Sequence, residues 1–368
     1  MTKIQELAEH GQAIWFDYIQ RSLIGSGELQ GLVDQGIRGV TSNPSIFKKA
    51  ITGSSDYDED IRSLARDGKT AEEIYEILTV NDIRSAADIL RPVYDETDGA
   101  DGFVSLEVNP GLANSARGTI DEATHLFNTV GRPNCMIKVP ATSAGPEAVE
   151  TLISRGVNVN VTLIFSVGHY ESVAKAYIAG LEKARDTWGA VKAAASVASL
   201  FVSRLDTAVD RKLAELGQTS LMGKTAVANA KVVYARFTEL FSSARWEKLA
   251  EQGARVQRPL WASTGTKNPD YPDTLYVDTL IGPSTVNTLP PATLESFIDH
   301  GSTEPSIDKD LDRSEAQLEA VAKLGIDLDE VTRRLQDDGV EAFIRSYEEL
   351  IQSIEDKRKE LLKGGQEK

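Results

Sequence analysis

The chain of 368 residues is 41% apolar and 26% charged, ordinary proportions for a globular protein and enough length for one large domain. Its 40 basic and 56 acidic side chains leave a formal charge of −16, which argues against sequence-independent binding to nucleic acid or to an anionic membrane, although a few cations gathered locally would still hold a phosphate. The single Cys135 excludes an intramolecular disulfide and a multi-cysteine zinc site, and the histidines at 10, 125, 169 and 300 show no metal-ligand spacing, so neither a metal nor another cofactor is called for.

The first residues lack the basic-then-apolar order of a secretory signal, and no apolar run approaches the ~20 residues that span a bilayer. A cytoplasmic location is expected, and the oligomeric state stays open. In chain order, short apolar and β-branched runs at 13–19 and 39–43 open the pattern, and a helical stretch at 71–90 leads to a third run at 103–108. A helix at 119–130 precedes the run 136–139, a helix at 145–155 precedes 157–165, and a long helix at 167–188 precedes 194–202. Helices at 207–216 and 226–240 lead to the seventh run, 259–263.

Residues 274–281 favour strand by composition, yet the spacing requires a short helix there, ended by Gly282 and Pro283, so that 285–289 becomes the eighth run. After Pro290 and Pro291 the chain reads as helix, notably at 308–324 and 328–362, with a frayed tail at 364–368. Eight strands alternating with helices predict an α/β fold, a closed (β/α)8 TIM barrel. Residues 1–368 read as one domain, with 291–368 a C-terminal helical extension whose charged surface is expected to be solvated and packed outside the barrel. Gly223, Lys224 and Thr225 resemble a phosphate-binding loop only superficially, because five residues separate them from Gly217 where four are needed and no strand precedes them.

Alternation within strands sorts side chains into inward and outward sets. Val104, Leu106 and Val108 oppose Ser105, Glu107 and Asn109; Val157, Val159, Val161 and Leu163 oppose Asn158, Asn160 and Thr162; Ile137 and Val139 oppose Lys138. Thr41 and Asn43 likewise oppose Val40 and Ser42, and Asp17 alternates with Phe16 and Tyr18. The polar inward set, Asp17, Asn43, Glu107, Lys138, Asn160 and Thr162, falls toward the C-terminal strand ends, where barrel enzymes carry their active sites. An internal ion-pair network would be the bland alternative. Polar groups from five strands converging at one end favour a site.

A pocket that desolvates a lysine favours its neutral amine, which attacks a ketone carbonyl. The resulting iminium accepts electrons when a neighbouring C–C bond breaks, so aldol chemistry proceeds on an organic electron sink. Glu107 and Thr162 suit a water that shuttles protons during carbinolamine dehydration, and Asp17 is the candidate base for the departing hydroxyl.

The stretches Val40-Thr-Ser-Asn-Pro-Ser-Ile-Phe47, Ser105-Leu-Glu-Val-Asn109, Met136-Ile-Lys-Val-Pro-Ala-Thr142, Asn158-Val-Asn-Val-Thr-Leu-Ile-Phe-Ser166 and Ser199-Leu-Phe-Val-Ser-Arg-Leu-Asp206 together resemble the successive strand motifs of transaldolases. The resemblance spans roughly residues 13–290. It implies Lys138 as the Schiff-base lysine, Asp17 as acid/base, and Glu107 with Thr162 around the catalytic water. Asn43 and Asn160 would bind the dihydroxyacetone unit, and Ser199 and Arg204 would contact substrate and phosphate. One departure lies after the seventh strand, where many relatives carry a second phosphate-binding arginine and this chain has Ser263-Thr-Gly-Thr-Lys267. Ser263 and Lys267 are the candidates to replace it.

The resemblance implies transfer of a dihydroxyacetone unit between sugar phosphates in the pentose phosphate pathway, from sedoheptulose 7-phosphate to glyceraldehyde 3-phosphate. Two alternatives stand beside it: a class I aldolase of the fructose-6-phosphate type, and a non-catalytic sugar-phosphate sensor on an enzyme fold. Compact aldolases resembling this family tend to place a tyrosine where this chain has Phe201, which favours transfer. An amine nucleophile flanked by two carboxylic acids counts against the sensor.

Overall fold

The computed structural model describes residues 1–189, 191 and 194–363, so the tail expected at 364–368 lies outside the described residues. Eight parallel strands close into a barrel in simple sequence order: β1 Gln12–Phe16, β2 Gly39–Thr41, β3 Phe103–Glu107, β4 Cys135–Pro140, β5 Val159–Ile164, β6 Ser196–Phe201, β7 Arg258–Ala262 and β8 Thr285–Leu289. Closure is made by β1 and β8, paired residue for residue from Gln12↔Thr285 to Phe16↔Leu289. The (β/α)8 TIM barrel expected from the alternation is the observed fold. No helix among the described residues is long and apolar enough to cross a membrane.

The helices match the expected pattern with shifted ends. Val167–Trp188 is as predicted, the short helix Leu275–Asp278 occupies the segment whose composition favoured strand, and Ala71–Glu96 runs one and a half turns beyond the expected end. Short helices at Lys3–Glu9, Arg21–Gly25, Glu28–Asp34, Pro44–Thr52, Asp58–Arg66 and Ala244–Ala250 were not anticipated, because one or two turns carry too little periodicity to stand out from loop.

Two apolar cores result from strand parity. Outward residues such as Ile14, Val40, Leu106, Ile137, Val139 and Val161 pack against the helices, while Ala13, Trp15, Phe103, Met136, Val197, Leu260 and Val286 fill the barrel interior. Leu163 departs from the expected outward set. A register irregularity between Val161 and Ile164 and a left-handed backbone at Leu163, φ +59°, turn its side chain into the inner core. The C-terminal helix Leu328–Lys363 corrects a second expectation: its charged face is solvated, but Val340 and Phe343 join that inner core, so the helix lies over the barrel mouth.

The barrel floor depends on close packing around Trp15. Its indole N–H donates to Asp101 at 3.1 Å, and Asp101 pairs with Arg258 at 2.8 Å. The neighbouring strand accommodates the ring with Gly39, where an added Cβ would stand 2.5 Å from the indole. Overpacking a filled core typically costs ~1–3 kcal/mol. Gly39→Ala is therefore expected to lower stability by about that amount in denaturant melts; an unchanged midpoint would show that the floor relaxes freely.

Candidate active site

The site is assembled by register. Lys138 on β4 stands beside Glu107 on β3 and Asn160 on β5, because the ladder pairs Glu107↔Lys138 and Lys138↔Asn160. The lysine is buried: its side chain is 7% exposed and that of Glu107 is 5% exposed. Its Nζ donates to the Ser42 carbonyl at 2.9 Å and to Glu107 Oε2 at 3.2 Å. Ser42 is itself held by donating from Oγ to the Ser105 carbonyl at 2.7 Å.

Asp17 follows the last residue of β1 and is reached from both neighbouring strands. Thr41 Oγ1 donates to Asp17 Oδ1 at 2.6 Å and also lies 2.7 Å from Thr288 Oγ1 on β8. On the opposite side, Ser199 Oγ donates to Asn160 Oδ1 at 2.6 Å, and Asn160 Nδ2 donates to Ser105 Oγ at 3.1 Å, which locks the amide orientation. Asn43 caps the helix Pro44–Thr52 by accepting from the Ile46 N–H at 3.0 Å. Thr162 Oγ1 is buried without a hydrogen-bond partner among the described residues.

Asp17, Asn43, Lys138, Asn160, Thr162, Ser199, Arg204, Ser263 and Lys267 all line one cavity. Glu107 lies behind Lys138, paired with it, and does not itself line the cavity. The volume, about 190 Å³, is several times the ~30 Å³ share of a water molecule and admits part of a sugar chain. At the outer end Arg204 occupies the first turn of the helix Ser203–Glu215, with its guanidinium 5.1 Å from the Phe201 ring centre. It forms no ion pair among the described residues. A half-buried guanidinium with no counterion among the described residues is suited to an anion. Ser263 adopts φ +56° and its hydroxyl lies 3.0 Å from that of Ser203. Lys267 is exposed in the same loop.

Thr41, Thr288 and Phe343 also line the cavity, and none was assigned a role from sequence. Thr288 was findable by parity, since it stands two residues beyond the inward Val286 and so shares its face. Phe343 was not: an apolar stripe on the helix marks it as buried without saying against what.

Burial raises the carboxyl pKa of both Asp17 and Glu107. For Asp17 the Thr41 hydrogen bond and the charge of Lys138 oppose the shift, and for Glu107 Lys138 opposes it by charge and hydrogen bond. Burial lowers the pKa of the Arg204 guanidinium, which stays cationic at neutral pH.

A barrel whose C-terminal mouth gathers a buried lysine, two carboxylic acids and an arginine with no ion pair among the described residues has the make-up of an enzyme for anionic carbonyl compounds. Residues 14–354 match the transaldolase/fructose-6-phosphate aldolase family. The chain is 48% identical over 356 residues to the transaldolase of Thermobifida fusca, covering 95% of this chain and 97% of that protein. It is 46% identical over 358 residues to the transaldolase of Thiobacillus denitrificans, covering 96% and 100%. This chain belongs to the transaldolase/fructose-6-phosphate aldolase family.

The raised carboxyl of Asp17 has a consequence for stability. A proton held more tightly folded than unfolded favours folding fully below the unfolded pKa, ~3.9, and that contribution is lost as pH rises through the folded value. Asp17→Asn keeps the size and the acceptor oxygen for Thr41 without ionising. The variant is expected to melt above the wild type at neutral pH, with the difference closing toward pH 4; a lower melting temperature throughout would mean that the Asp17 charge stabilises the fold.

Proposed function

We propose that the chain is a transaldolase of the pentose phosphate pathway, transferring a dihydroxyacetone unit from sedoheptulose 7-phosphate to glyceraldehyde 3-phosphate to give erythrose 4-phosphate and fructose 6-phosphate. The observation that carries this reading is the buried Lys138 amine with Glu107 as its one carboxylate partner among the described residues, facing a cavity that Asp17 and Arg204 also line. A cytoplasmic setting is consistent with an acidic chain whose single cysteine is free and buried.

Lys138 attacks the ketone carbon of the donor to form a carbinolamine. Glu107, whose burial favours its protonated form, and Thr162, whose hydroxyl has no partner among the described residues, supply and remove protons through a water as hydroxide departs and the iminium forms. Asp17 takes the proton from the hydroxyl of the departing half. The C–C bond then breaks, its electrons pass to the iminium as an enamine, and the aldose leaves. Entry of the acceptor aldehyde reverses these steps. Asn43 and Asn160 bind the hydroxyls of the retained unit, Ser199 fixes Asn160, and Arg204 with Ser263 and Lys267 takes the phosphate.

Release of the unit to water would make the protein an aldolase of the fructose-6-phosphate type. Phe201 favours transfer, because its ring presents no hydroxyl to the cavity and packs 5.4 Å from Phe165.

Borohydride reduction with fructose 6-phosphate is expected to leave a three-carbon adduct on Lys138, and Lys138→Ala to lose both trapping and transfer. An adduct on Lys267 instead would overturn the assignment. Arg204→Ala is expected to weaken phosphorylated sugars roughly ten- to hundredfold while free sugars change little, since a charge-assisted contact is worth ~1.5–3 kcal/mol. Equal losses for both would make Arg204 structural.

A further inference from the structure

The C-terminal helix Leu328–Lys363 brings one aromatic ring to the reacting amine: Phe343 lines the active-site cavity with its ring centre 5.8 Å from Lys138 Nζ. The ring is buried and packs in the inner core with Leu163, Phe201 and Val340. Its depth is set by the helix. Gln336, two turns earlier, donates to the carbonyls of Ala141 and Leu163 at 2.9 Å each, tying the helix to the ends of β4 and β5. Gly339, a poor residue for a helix interior, lets the backbone settle onto the barrel, since a Cβ there would stand 2.9 Å from Leu163 Cδ2. Farther along, Ser45 donates to Ser346 at 2.9 Å and Lys48 pairs with Glu349 at 2.7 Å.

We propose that Phe343 is a specificity-determining residue that roofs the Lys138 adduct and favours passing the three-carbon unit to an aldehyde over releasing it to water. The inference rests on the Schiff-base reading above. In transfer, the enamine carbon forms a C–C bond to the aldehyde carbon, the aldehyde oxygen takes the proton held by Asp17, and one water hydrolyses the new ketose iminium. In release, the same carbon takes a proton from solvent, one water adds to the iminium carbon, and Lys138 departs as the amine from free dihydroxyacetone. Release therefore needs solvent at the carbon before an acceptor arrives. A phenyl ring packed beside the nitrogen excludes that solvent.

The test uses the full-length protein with fructose 6-phosphate, with and without erythrose 4-phosphate, and reads free dihydroxyacetone against sedoheptulose 7-phosphate. Phe343→Ala is expected to raise the ratio of release to transfer at least about threefold as solvent gains access to the adduct. Phe343→Leu keeps an apolar side chain of moderate size and is expected to raise it less; it also carries the test should the alanine variant fail to fold. A ratio unchanged within error in a folded variant, with both rates falling together, overturns the proposal and makes Phe343 a packing residue. If the wild type itself forms no adduct on Lys138, the Schiff-base reading fails and takes this inference with it. A wild-type adduct with an unchanged ratio in the variants overturns this inference alone.

Discussion

Removing a lysine amine from water is the constraint on which the rest of this structure depends. Taking an ion into a protein interior costs several kcal/mol even after relaxation, and a single attraction repays it only with good geometry and further hydrogen bonds. Lys138 has Glu107 at 3.2 Å and one carbonyl, that of Ser42, at 2.9 Å. That is enough to hold the side chain in place without surrounding it. The cavity side of the nitrogen stays open to a substrate.

The closed barrel makes such an arrangement reproducible. Neighbouring strands in register set Glu107, Lys138 and Asn160 side by side; Lys138 is then braced by the Ser42 carbonyl and Asn160 by Ser105 and Ser199, while Glu107 is held by Lys138 itself. Asp17 stands apart, tied through Thr41 to Thr288 on the far side of the β1–β8 seam. The two carboxylic acids thus differ in their partners, Glu107 being paired with the amine and Asp17 held by Thr41. Both lie where burial raises their pKa, which suits proton exchange more than permanent charge.

Much of this was legible in the sequence because period-two alternation survives through the stretches that carry Asp17, Glu107, Lys138 and Asn160. Lys138 between Ile137 and Val139, or Glu107 between Leu106 and Val108, admits one orientation in a barrel. The alternation misleads at Leu163, where an irregularity in β5 reverses the expected side and no neighbouring residue type announces it. The mouth was the illegible part. Phe343 reaches Lys138 from 205 positions later in the chain, and its helix reads as an amphipathic surface helix because its outer face is charged. Amphipathic patterning tells which face is buried, whereas the partner surface is chosen by tertiary packing. The short helices after β1 and β2 were lost for a different reason, since one or two turns are too brief to reveal a period.

The proposed mechanism divides labour around one amine, with Glu107 and Thr162 serving imine formation and Asp17 serving C–C cleavage. Mass spectrometry of Asp17→Asn after incubation with fructose 6-phosphate and borohydride reduction tests it most directly. The account predicts an adduct on Lys138 bearing the intact six-carbon ketose phosphate, heavier than the three-carbon adduct of the wild type, with turnover reduced by about 10²–10⁴. A folded variant that forms no adduct of any mass would contradict it, because Asp17 would then be required to hold Lys138 in place instead of to break the bond.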